Sequence, residues 1–95
     1  MFHAAPLELR EIIFKQGLLP SDPSARDWSL AGQPIGVYVT TSSAAASLWG
    51  HTASDIWAID ASGLPIDLDH LGGPDCRVIR TAVPPQRLRM WCPHR

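Results

Sequence analysis

The first third of the chain has the pattern of a short strand followed by a helix and a long loop. Phe2–Ala4 is apolar enough for a first strand, and the proline that follows this segment is tolerated in the first turn of a helix. Apolar residues at helical spacing predict a helix over Pro6–Gln16, which Gly17 ends in a left-handed conformation. The turn formers between Leu18 and Pro34 predict a loop of about sixteen residues, a length that favours a binding loop.

The rest of the chain predicts four more strands and a second short helix. Val37–Thr40 is β-branched and aromatic, and Ser42 or Ser43 is placed to cap an alanine-rich helix over 44–48, which Gly50 ends. Further strands are predicted at 56–59, 77–81 and 88–91. The order β-α-loop-β-α-β-β-β predicts a small α+β domain with two short early helices and strands that cluster late.

Length and composition limit the chain to one domain, which we place at residues 1–95. The 95 residues are 45% hydrophobic and 18% charged, enough for one core and too few for two. No apolar run approaches the ~20 residues of a membrane helix, and the acidic start lacks the cationic region of a signal peptide. We therefore expect a soluble, cytoplasmic protein in which Cys76 and Cys92 are ordinary thiols.

Charge is distributed unevenly along the second half of the chain, although the formal net charge is only −1. The acidic residues from Asp55 to Asp75 have no basic residue between them, and the arginines from Arg77 to Arg95 have no acidic one. Two interpretations stay open. The basic segment binds nucleic acid or a phosphate-bearing ligand, or it is a solvated face that pairs with the acidic segment.

The common signatures of catalysis and metal binding are absent, including a glycine-rich phosphate loop, HExxH, GxSxG and paired cysteines. His51 and His70 have too few neighbouring ligands to predict a metal site. His3 and Tyr38 stand out instead, because each lies on a predicted strand directly before a helix, where ligand groups are common. Both also fit structural roles, as a hydrogen-bonded histidine and a packed tyrosine.

Several other side chains admit both a binding and a structural interpretation. Trp28 lies in the polar loop, where it fits a lid over a pocket, an exposed protein contact or simple packing. Thr40, with Thr41 and Ser42, has hydroxyls for a ribose or a phosphate, and these residues equally suit a turn and a helix cap. Trp57 is expected in the core, since a small domain needs the large area that tryptophan buries.

Three segments, in this order, resemble the ADP-ribosyltransferase fold, the family that includes DNA-modifying ADP-ribosyltransferase toxins and RNA 2'-phosphotransferases. The opening FHAAPLELREIIFKQGLLPSD is similar to the aromatic-histidine strand, helix and Gly-Leu of that family. GVYVTTSSAAASLWG resembles its tyrosine-bearing strand, small polar turn and alanine-rich helix. CRVIRTAVPPQRLRM resembles its late strand, Pro-Pro turn and final strand.

The resemblance implies a split sheet with an NAD site between two small sheets. It implies that His3 holds the nicotinamide-side ribose and that Tyr38 stacks on the nicotinamide ring, from neighbouring strands whose side chains form one pocket wall. It also implies that Ala4, Thr40 and Trp28 contact the nucleotide. NAD is then a substrate, and cleavage of its glycosidic bond builds an oxocarbenium-like cation that a carboxylate stabilises. The family places a glutamate just before the late strand, where this chain has Asp75, which is expected to replace it.

Two functions of different classes follow from the resemblance. The first is an NAD-binding protein that transfers ADP-ribose to a protein or nucleic-acid acceptor, or cleaves NAD. The second is a non-catalytic interaction module of the same fold, such as an antitoxin, an inhibitor or a phage accessory protein, which the missing glutamate and the small size favour. Transfer of a 2'-phosphate from RNA to NAD ranks below both, because the first half of the chain has few basic residues.

Overall fold

The fold is built on one antiparallel sheet with a helix on each face. The computed structural model describes residues 1–20, 36–49, 54–68 and 73–94, with the backbone alone at 48 and 49. Its elements are β1 (Phe2–Pro6), α1 (Arg10–Gln16), β2 (Val37–Thr40), α2 (Ser43–Trp49), β3 (Ser54–Ile59), β4 (Ile66–Leu68), β5 (Cys76–Ile79) and β6 (Leu88–Cys92). Short 3₁₀ segments, Leu7–Leu9 and Pro85–Arg87, precede α1 and β6. Across the described ranges the strand order is β4-β5-β2-β1-β3-β6, and all neighbouring pairs are antiparallel.

One face of the sheet, called the core face, carries the main hydrophobic core. Its buried strand residues are Ala5, Val37, Val39, Trp57, Ile59 and Ile79. The helix α1 adds Ile13 to this core, and the ring of Phe14 meets that of Trp57 edge-on, with centroids 4.9 Å apart. Leu18 and Val83 complete the core and exchange two backbone hydrogen bonds of 2.9 and 2.8 Å. Both α1 and the segment after it are therefore fixed to the core face.

The opposite face of the sheet is covered by α2. Ile56, Cys76 and Val78 alternate with core-face residues along their strands and are buried outside the core cluster. The helix α2 contacts β1, β2 and β3 and buries Ala46. Its cap is Ser42, whose Oγ accepts a hydrogen bond from the Ala45 N–H at 3.1 Å. Within the described ranges, no helix is long and apolar enough to cross a membrane.

The α+β class predicted from the sequence is confirmed, while the expected division into two small sheets is not observed. The sheet is continuous, because β1 and β2 are joined by the pair Phe2–Thr40. The strand β4 was not predicted, since it has three residues and Pro65 directly precedes it. The helix α1 begins at Arg10 rather than Pro6, because Pro6 is extended, with φ −55° and ψ 142°, and pairs with Ser54 as the last residue of β1.

A buried ion pair joins α1 to β3 and to the C-terminal segment, and we call it the clamp, formed by Arg10, Asp55 and His94. Asp55 is fully buried and accepts hydrogen bonds from Arg10 Nε at 2.9 Å and from Arg10 Nη2 at 2.6 Å. The backbone N–H of His94 donates to the same carboxylate at 2.8 Å. The hydrogen bonds from Arg10 lower the pKa of Asp55, with a smaller contribution from His94, and together they outweigh the opposing effect of burial.

Arginines of the basic segment bind groups of the acidic segment. Arg80 forms an exposed ion pair with Asp67 at 3.3 Å. Arg87 donates to the carbonyl oxygens of Asp60 and Ser62 at 3.1 and 2.6 Å. These contacts support the interpretation in which the two segments pair with each other.

Candidate functional site

The candidate site lies at one end of the sheet, across the three consecutive strands β5, β2 and β1. In the described structure, β1 and β2 share the single ladder pair Phe2–Thr40, whereas β1 pairs with β3 along its whole length. Beside that pair, His3 Nδ1 lies 2.6 Å from the carbonyl oxygen of Tyr38. A carbonyl only accepts hydrogen bonds, so Nδ1 carries a proton and donates it. The imidazole therefore bridges the two strands in a fixed orientation, and the prediction that these strands are neighbours is confirmed.

The side chains of His3 and Tyr38 lie on opposite faces of the sheet. His3 is opposite Trp57 in the β1–β3 ladder and shares its core face. Phe2 and Thr40 are opposite each other on the other face, and Tyr38 shares that face because it is two residues from Thr40. The expectation that His3 and Tyr38 form one pocket wall is therefore wrong. The physical reason is the strand register, since a shift of one residue exchanges the faces of every side chain.

Asp75 lies in the turn before β5, at the same end of the sheet. The Thr41 N–H donates to the Asp75 carbonyl oxygen at 2.9 Å, and the Thr41 hydroxyl donates to Asp75 Oδ1 at 3.3 Å. Arg77 Nη1 donates to two neighbouring carbonyl oxygens at 2.7 and 2.9 Å. The Cα atoms of His3 and Asp75 are about 12 Å apart, because two strand spacings across the sheet and two residues along a strand separate them. The exposed carboxylate is thus held at a distance from His3 that a nucleoside-sized ligand spans.

The other predicted contact residues have different positions. Ala4 is half-buried on β1 and lies on the same face as Phe2, which is two residues before it.

 In the β1–β3 ladder Ala4 is directly opposite Ile56, and it lies on the face of Tyr38, away from His3. Thr40 is buried and its hydroxyl donates to the Ser42 carbonyl oxygen at 2.7 Å, which favours its structural interpretation. Trp28, His51 and His70 lie outside the described residues. Within those residues, no group of three or more histidines, cysteines or acids is arranged to hold a metal ion.

Trp57 belongs to the surroundings of His3, and the sequence singled it out only as a core residue. The core placement is confirmed, because the side chain is 1% exposed. Its indole Nε1 is also buried and has no hydrogen-bond partner in the part of the chain that the structure describes. An apolar strand containing tryptophan predicts burial, and only the three-dimensional packing shows that the described residues supply no acceptor for this donor.

Comparisons with protein-family models, with curated proteins and with solved structures give no match to this chain. The function is therefore inferred from the geometry of His3, Thr41 and Asp75 and from the residues around them.

Proposed function

We propose that the chain is an ADP-ribosyltransferase-like protein that binds NAD, or a nucleotide derived from it, at the site formed by His3, Thr41 and Asp75. The observation that supports this most is the bridging position of His3, whose Nδ1 donates to the Tyr38 carbonyl oxygen at 2.6 Å. This bond restricts the rotation of the imidazole. A binding group held in one orientation loses little freedom when a ribose binds to it.

Asp75 is the carboxylate that we assign to the transfer of ADP-ribose or the cleavage of NAD. Positive charge develops on the ribose as the glycosidic bond breaks, and a fixed anion stabilises that charge. Thr41 holds Asp75 through its N–H and its hydroxyl. The chain's glutamates, Glu8 and Glu11, lie on the α1 side of the fold and are not at this turn. The acceptor is a protein or a nucleic acid in transfer, and water in cleavage.

Calorimetric titration with NAD tests this proposal. We expect the wild-type protein to bind, and His3→Ala to weaken binding by about tenfold, the effect of one lost hydrogen bond. His94→Ala is a matched control, because the hydrogen bonds of His94 in the clamp come from its backbone and the residue is exposed. Melting temperatures of all three proteins show whether His3→Ala acts through stability instead. Absence of heat from the wild-type protein at millimolar NAD would reject nucleotide binding.

A second function, a non-catalytic interaction module of the same fold, is favoured by a separate observation. Tyr38 lies on the face opposite His3 and therefore does not complete an aromatic wall beside it. The helix α1 and the segment before it also expose apolar side chains, with Leu9 42%, Ile12 50% and Phe14 56% exposed. If the wild-type protein fails to bind NAD in the titration, this second function is the one that the fold supports.

A further inference from the structure

The indole N–H of Trp57 is a buried donor for which the described residues supply no acceptor. The side chain is 1% exposed, and Nε1 is shielded from solvent. Buried polar groups in proteins are nearly always hydrogen-bonded, because burial without a partner costs free energy. An acceptor from outside the described residues would satisfy this group, and an ordered water or a ligand oxygen can supply one.

The position of Trp57 relates this donor to His3. The two residues are directly opposite each other in the β1–β3 ladder, so their side chains leave the core face as neighbours, with Cβ atoms about 5 Å apart. On the side of α1, the half-exposed ring of Phe14 lies edge-on against the indole. A donor that has no acceptor among the described residues thus lies beside the histidine that bridges β1 and β2.

We propose that Trp57 is a ligand-binding residue that donates its indole N–H to an acceptor oxygen of the bound nucleotide. This inference depends on the proposed NAD binding and deepens it. Trp57, on the face of His3, takes the place in the site that the sequence assigned to Tyr38. An indole N–H donates and does not accept, so it selects a hydrogen-bond acceptor at that point of the ligand.

Two-dimensional ¹⁵N–¹H spectra of the indole groups, recorded during titration with NAD, test the inference. Trp57→Phe assigns the Trp57 signal by its loss and removes the donor while keeping an aromatic ring. We expect the indole proton of Trp57 to move downfield on saturation, and Trp57→Phe to weaken NAD binding by about tenfold. Trp91→Phe is the control, because Trp91 is 49% exposed on the edge strand β6 and should leave the affinity unchanged.

The outcomes separate this inference from the proposed function. If NAD binds to the wild-type protein but the Trp57 proton does not move and Trp57→Phe binds equally well, the Trp57 donor does not contact the ligand and the inference is overturned alone. If the wild-type protein does not bind NAD, the proposed function and the inference both fail. Should Trp57→Phe not fold, the indole signal of Trp57 is assigned in the wild-type protein by sequential methods, and Trp91→Phe identifies the Trp91 signal. The shift of the Trp57 signal on addition of NAD then decides the question.

Discussion

Substitution of Asp55 by alanine removes the buried carboxylate of the clamp and should strongly destabilise the fold. Three donor hydrogens lose their acceptor, two from Arg10 and one from the His94 backbone. Removal of one member of a buried ion pair typically costs about 3–5 kcal/mol. The Arg10 side chain is 34% exposed, so its charge regains some hydration, and we expect the lower end, about 3 kcal/mol. In a domain of this size, that loss lowers the melting temperature by roughly 12–24 °C.

Thermal and urea unfolding followed by circular dichroism measure this loss. The matched control is Asp67→Ala, which removes an exposed ion pair with Arg80 and should leave the melting temperature nearly unchanged. A free energy of unfolding for Asp55→Ala within about 0.5 kcal/mol of wild type would refute the reasoning, since surface changes have that size.

The pH dependence gives the same prediction a second test. The pKa of Asp55 is lower in the folded protein than in the unfolded chain, chiefly because of the hydrogen bonds from Arg10. The stability that Asp55 contributes is therefore fully present above its unfolded value of about 3.9 and is lost as the pH falls through the folded value. The difference in stability between wild type and Asp55→Ala should shrink in acid, and a constant difference from pH 7 to pH 2 would contradict this assignment.

Three further predictions concern the site and the turn after α1. Asp75→Asn should abolish turnover of NAD and leave NAD binding almost intact, because the cation exists only in the transition state. Equal turnover in Asp75→Asn and in the control Asp60→Asn would contradict this role. Tyr38→Ala should lower the melting temperature but change NAD affinity less than tenfold, since the Tyr38 ring lies away from His3. A larger loss of affinity at unchanged stability would restore the stacking role of Tyr38. Gly17→Ala should destabilise the protein by more than the ~1 kcal/mol of a left-handed residue, because its Cβ would lie 2.0 Å from the Val83 carbonyl oxygen. Gly63→Ala is the control in the same denaturation experiment, because Gly63 has a similar φ of +76° and a Cβ there would have no atom within 4 Å. Equal losses of stability in the two variants would show that the contact with Val83 does not matter.

Elements with strong local signals could be predicted from the sequence. The β-branched segment Val37–Thr40 is β2 as predicted, and the alanine-rich segment after it is α2, capped by the first of two candidate serines. The strand β4 could not be found in this way, because its middle residue, Asp67, is polar and its pairing with β5 is a tertiary contact.

The candidate site was only partly predictable, for a reason that lies in the geometry of sheets. The strands that carry His3 and Tyr38 could be predicted from their local sequence, and their adjacency in the sheet was implied by the resemblance. Their faces depend on the pairing of Phe2 with Thr40, and no local signal sets that register. The burial of Trp57 Nε1 away from any acceptor of the described ranges depends likewise on how α1 and the sheet pack around the indole.

The central claim is that an NAD-type nucleotide binds at the end of the sheet formed by His3, Thr41 and Asp75, and amide chemical-shift mapping tests it most directly. A ¹⁵N-labelled sample is titrated with NAD, and the shifts are followed at every assigned backbone amide. We predict saturable shifts that are largest at these three residues and small at the far edge strand β4, Ile66–Leu68. Spectra that do not change at millimolar NAD, or shifts confined to β4, would contradict the claim.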